Sequence, residues 1–168
     1  LVARIKKEIR GLIKVKKYKV LLLLILLSFA SCTISTPFRK IEGNSDKDPN
    51  RIVLVSFTHV ILGENSDINE LFWDYVFKIN DQISTTDGAI GHSLRKKIFA
   101  DEGWTMSVWE DHNWMMQFVD SDLHKEALEK TASAISKVEY ARVKMPLSKV
   151  PPSWEEAEKY LLEQNLPK

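Results

Sequence analysis

After residue 50 the spacing of apolar residues alternates between a period of two and a period near 3.6, the signatures of strands and helices. Residues 51–62 (RIVLVSFTHVIL) are a strand with apolar side chains on both faces, Val53, Val55, Phe57 and Ile61 on one and Ile52, Leu54, Val60 and Leu62 on the other. Such a strand has to be covered on both sides. In residues 67–86, Ile68, Leu71, Phe72, Tyr75, Val76, Ile79 and Ile83 form one helical stripe, opened by Ser66 or Asp67 and closed by Asp87-Gly88. Residues 89–99 and 104–110 alternate again around the turn 100–103, a hairpin pattern.

From Asp111 onward Met115, Phe118, Val119 and Leu123 return to helical spacing, and two cap signals, Asp111 and Ser121, predict a bend near Asp120. Residues 137–147 alternate as a fourth strand. Pro151-Pro152 break the chain, and Ser153 with Glu156 forms a capping box for a last helix. Its Trp154, Ala157 and Leu161 share a face that is expected to pack over a sheet edge or reach a partner subunit. The order β-α-β-β-α-β is the ferredoxin-like pattern, an α+β class with an extra C-terminal helix. Two helices cover one side of such a sheet. The two-sided apolarity of residues 51–62 then asks for a partner subunit or a ligand on the other.

Ser107–Asp111 (SVWED), followed by Phe118, Ser121-Asp122, Lys125 and Ala127, resembles the third strand and second helix of the antibiotic-biosynthesis-monooxygenase superfamily. The resemblance implies a homodimer whose sheets pair face to face as a dimeric α/β barrel, and a pocket between each sheet and its helices. It also implies a small apolar ligand and a reaction without a dissociable cofactor. Fold alone does not settle reaction, because this fold hosts many.

The first third of the chain stands apart. Residues 1–20 hold eight basic residues against Glu8, the apolar run Val20–Leu27 follows, and small residues precede Cys32. This reads as an export signal over residues 1–31. Ala30, Ser31 and Cys32 resemble the lipobox of bacterial lipoproteins, with Phe29 where leucine is usual, so Cys32 is the expected lipidation site and the cell envelope the expected location. An uncleaved anchor helix over Tyr18–Ile34 is the alternative. Residues 32–50, polar and without period, are expected to be a flexible tether that holds the domain (51–168) off the membrane. Without residues 1–31 there are sixteen basic and twenty-two acidic residues, net −6, which argues against nucleic acid and against an anionic membrane surface as partners.

The chemistry-bearing residues are sparse. No nucleotide-binding loop, nucleophile elbow or paired metal-ligating histidines occur in the sequence. His59 and His92 lie mid-strand, where hydrogen-bonded core histidines are common, and His112 follows a cap. His124 lies on the second helix beside the segment that lines the pocket in the superfamily. His59, Ser107 and Arg95 join it as catalytic candidates if their strands turn them inward. Trp104, Trp109 and Phe118 are the expected pocket lining, although aromatic residues at this spacing are also ordinary core. The iron-binding positions of the superfamily's haem-degrading branch fall on Phe118 and Leu128, which do not suit iron, and no metal site is expected. Two functions follow: a monooxygenase-like enzyme, or a non-catalytic lipoprotein that binds a hydrophobic ligand or serves a structural role. Labelled palmitate should be incorporated into the chain and lost in Cys32→Ala; incorporation that survives the substitution contradicts the anchor.

Overall fold

The computed structural model describes residues 32–41 and 48–166; the expected signal segment, and residues 42–47 of the expected tether, lie outside the described residues. The described strands are β1 (Thr33–Ser35), β2 (Arg39–Lys40), β3 (Ile52–Leu62), β4 (Ala89–Lys97), β5 (Glu102–Trp109) and β6 (Ile135–Pro146). The helices are α1 (Ser66–Ile83), α2 (His112–Val119), α3 (Asp122–Thr131) and α4 (Trp154–Asn165). All the strand pairs are antiparallel and follow the order β1-β4-β5-β3-β6, with β2 also on β4. Without β1 and β2 this is the ferredoxin-like arrangement.

Local chemistry sets the element ends. The Asn65 side chain caps α1 by accepting from the Ile68 amide at 3.4 Å, one residue before the expected cap. Asp111 caps α2 by accepting from the amides of Asn113 and Trp114, and α3 starts after Ser121, so the bend falls at Asp120 as the two cap signals predicted. The turn after α1 needs Gly88, whose φ of 72° favours a residue without Cβ, and the Trp114 ring occupies the space a Cβ would take. Both halves of the Ser153–Glu156 capping box are present on α4.

Alternation along β3 divides the core in two. Leu54, Val60 and Leu62 face α1 and α2, packing with Met115, Phe118, Ile68 and Phe72. Val53, Val55 and Phe57 face the other way, with Val108, Met145 and, from α4, Ala157 and Leu161. The far side of the sheet is therefore not bare. The face expected to need a partner subunit or a ligand is covered by α4 of the same chain. Helix α4 also guards the β6 edge: Arg142 donates its amide to Gln164 Oε1 at 3.0 Å, and Asn165 Nδ2 donates to the Tyr140 carbonyl at 3.0 Å. Exposed edge groups otherwise invite pairing with another chain.

The tether reading also fails for residues 33–41. Thr33, Ile34 and Ser35 pair with Lys97, Lys96 and Arg95, and Arg39 and Lys40 pair with His92 and Gly91. Phe38 packs onto Gly91, where no side chain stands in its way. A polar stretch without periodicity concealed two apolar anchors, Phe38 and Ile41, and a set of backbone hydrogen bonds, which leave no mark in composition.

Leu161 is 4% exposed and its neighbour Leu162 63%. In urea unfolding, Leu161→Ala should cost roughly 2–4 kcal/mol, as for other buried leucines, and Leu162→Ala less than about 0.5 kcal/mol. Equal costs would mean that α4 does not seal the sheet.

Candidate functional site

Between the sheet and α1, α2 and α3 lies a cavity of about 190 Å³. An apolar cavity of ~150 Å³ accepts benzene, so this one suits a ligand somewhat larger than a single ring. Its floor comes from every second residue of the central strands. Ser56 stands opposite Ser107, and Thr58 opposite Thr105. The walls are apolar, chiefly Val76 and Ile79 of α1, Met115 and Phe118 of α2 and Ala127 of α3. Leu128, Val138 and Tyr140, 46%, 37% and 52% exposed, mark its open side between α3 and β6.

An aromatic run lines one wall. Trp109 is fully buried and donates its indole N–H to Ser107 Oγ at 2.9 Å. Phe118 tilts against Trp109 with ring centroids 5.0 Å apart, and His124 meets Phe118 edge-on at 5.4 Å. Buried in the protein, His124 Nδ1 has no hydrogen-bond partner among the described residues. Burial pushes the imidazole below the usual histidine pKa, so at neutral pH it carries no charge.

The second histidine of the cavity is His92, the cross-strand partner of Ser107. Its two ring nitrogens are committed, Nδ1 to Asn80 Oδ1 at 2.7 Å and Nε2 to Ser84 Oγ at 3.0 Å. Burial, then the nearby Arg39 charge, lower its pKa, with Asp81 opposing. A neutral imidazole that donates from Nδ1 to the Asn80 oxygen and accepts from the Ser84 hydroxyl satisfies both contacts.

The expected site residues separate into two groups on opposite faces of the sheet. His124, Trp109 and Phe118 gather at the cavity, with Ser107. His59 and Arg95 do not reach it, and this corrects their expected place. In β3 the inward positions are Ser56, Thr58 and Val60, so His59 projects from the α4 side; in β4 the inward residues are His92 and Leu94, so Arg95 does the same. Trp104 borders the cavity, but its ring stacks on His59 at 4.6 Å in the core beneath α4.

On that face His59 is held by Glu139 through Nδ1 at 2.8 Å and by Glu102 through Nε2 at 3.0 Å. Lys97 pairs with Glu102 and Lys137 with Glu139, which makes a charged row across β4, β5, β3 and β6. Arg95 pairs with Glu158 of α4 at 2.7 Å and lies over the Trp104 ring at 5.1 Å. These partnered groups tie the sheet to itself and to α4. Among the described residues no cluster of His, Cys, Asp and Glu side chains is suited to a metal ion.

Sequence reasoning treated His92 as core and picked out only Ser107 from the hydroxyl floor. The signal was present as Ser56-x-Thr58 and Thr105-x-Ser107, two period-two pairs on strands expected to be neighbours in this fold.

The sequence matches no protein-family model and no curated protein. Among solved structures, it is similar to a candidate monooxygenase from Fusobacterium nucleatum subsp. nucleatum, with a TM-score of 0.56 at 11% identity over 68% of this chain and 50% of that one. The chain thus spans half the length of that protein. A Pseudomonas aeruginosa protein aligns with a TM-score of 0.50 at 7% identity, over 56% of this chain and 94% of its own. A candidate antibiotic-biosynthesis monooxygenase from Nitrosomonas europaea gives 0.48 at 8% identity, over 54% and 95%. The α+β, ferredoxin-like fold that the sequence resemblance implied is present and is shared with these proteins.

Folding stability should be level above pH 6.5 and fall as the pH drops below it, because unfolded histidines bind protons that folded His92 and His124 resist. Against the opposing effect of its burial, contacts to Lys97 and His59 hold Glu102 below its usual 4.5, so the stability it adds is lost only as the pH falls below that value. In urea denaturation at stepped pH, His124→Gln should flatten the decline between 6.5 and 4.5. An unchanged slope there contradicts a buried neutral His124.

Proposed function

We propose that this is an exported, envelope-anchored protein whose cavity binds a small, flat, mostly apolar ligand, and that its reaction is a monooxygenation with His124 as the proton acceptor. The observation that carries the reading is the unpartnered Nδ1 of His124 in an apolar, aromatic-lined cavity. A buried polar atom without a partner costs about 1–3 kcal/mol, and a ligand O–H or N–H placed against it would remove that cost. The monooxygenase-like fold supports the choice of reaction.

The chemistry suits an aryl ketone or phenol with an activated methylene. His124 takes a proton from the ligand, the floor hydroxyls of Ser107 and Thr105 steady the resulting oxyanion, and the apolar walls keep water from it. The electron-rich anion reacts with dioxygen. One oxygen atom ends as the new C=O of the former CH2, and the other leaves as water with its two hydrogens. In this reading the pocket is completed within one chain, so a second subunit is not needed to form it.

A non-catalytic binding role is the second reading. It is favoured by His92, whose two nitrogens are already occupied, so that one uncommitted imidazole serves the cavity.

Two measurements test the proposal together: quenching of tryptophan fluorescence by a panel of bicyclic phenols and aryl ketones, and oxygen uptake with the same panel. Catalysis predicts uptake that falls by about 10²–10⁴ in His124→Gln, the usual value of a positioned base, with affinity changed only a few-fold. Binding without uptake would leave the second reading, and no binding by any probe would sink the site. Ala127→Leu, which narrows the cavity, should abolish binding.

A further inference from the structure

We infer that the corner of the sheet formed by β1 and the β4–β5 turn is a membrane-docking surface, with Ile98 and Phe99 seated in the interfacial layer of a lipid bilayer. The inference rests on the anchored reading of residues 1–32 proposed above, and adds how the domain lies on the membrane. The corner exposes three large apolar residues, Ile34 at 62%, Ile98 at 49% and Phe99 at 72%. They gather where the chain leads back toward the expected anchor, because Ile98 donates its amide to the Cys32 carbonyl at 3.0 Å.

No slack separates Cys32 from the domain. Thr33–Ser35 pair with β4, Thr36 donates its amide to the Leu94 carbonyl at 2.8 Å and Ile41 to that of Ile90 at 2.9 Å, and the half-buried Phe38 packs against the core. An acyl chain on Cys32 would start at its sulfur, and the interfacial layer of one leaflet is only about 5–8 Å deep. A residue whose backbone is hydrogen-bonded to residue 32 therefore lies at or in that layer. In the alternative of an uncleaved apolar run, the five steps along the chain from Leu27 to Cys32 span at most roughly 18 Å, which also keeps the corner at the surface.

The domain's negative balance gives no general attraction to an anionic surface, but none is required, because the anchor supplies the local concentration and the apolar side chains need only be nearby. The strand order has a further consequence. The open side of the cavity is at β6, four strands from β1, or about 19 Å at the usual spacing. With the β1 corner on the bilayer, the ligand enters from the aqueous side and not from the lipid.

The test uses the full chain in cell membranes, with the photocrosslinker benzoylphenylalanine in place of Phe99 or, as a control, in place of Leu162, which is 63% exposed on α4. Both positions are at the surface, so neither replacement disturbs the core. After illumination, a phospholipid adduct is expected at 99 and none at 162. A chain that stays with the membrane but gives no lipid adduct at 99, equal adducts at both positions, or a crosslink from 99 to a second copy, overturns the docking and leaves the anchor intact. A chain that does not partition with membranes overturns the anchor, and the docking falls with it.

Discussion

The whole molecule depends on the register of β3 between β5 and β6. Hydrogen-bonded on both edges, β3 can satisfy its apolar side chains only if each face is covered, and the pairing Ser56–Ser107 with Phe57–Met106 fixes which residues meet which cover. A slip of one residue would turn Ser56 and Thr58 into the α4 core and push Val55 and Phe57 into the cavity. The cost of burying the two hydroxyls without partners, added to the loss of Phe57 from its packing, makes the observed register the one that satisfies both faces.

That register gives the two faces different tasks. Under α1 to α3 the sheet offers hydroxyls beneath a cavity, and α3 adds a neutral imidazole with an open lone pair or proton. On the α4 face the sheet offers close-packed Val53, Val55 and Phe57 and, farther along the same face, a row of ion pairs centred on His59. The first surface has unsatisfied capacity and the second has almost none. Binding chemistry belongs where polar groups remain uncommitted, so His124 is the stronger candidate and His59 the weaker.

How much of this could be read in the sequence follows from the range of each interaction. Local signals were legible. The helix stripe at residues 68–83, the Asp111 cap, the bend at Asp120 and the Ser153–Glu156 box all depend on residues within four positions of each other. The β-α-β-β-α-β order follows from them, and the resemblance on Ser107–Ala127 pointed to the fold. The misses are long-range. That His59 and Arg95 face away from the cavity depends on strand phase, which two-sided apolarity leaves undetermined. The docking of Phe38 on Gly91 joins residues 53 apart. That α4 covers β3 is a contact between distant segments, which an apolar face alone does not specify.

The central claim is that the sheet divides a ligand-binding face from a structural one. Nitrogen-15 NMR of the histidine side chains, recorded as a bicyclic phenol is titrated into the full-length protein, tests it most directly. The account predicts that the His124 resonances shift most, His92 less, and that those of His59 stay still. Shifts at His59 with His124 unmoved would place the ligand beneath α4 and contradict the account.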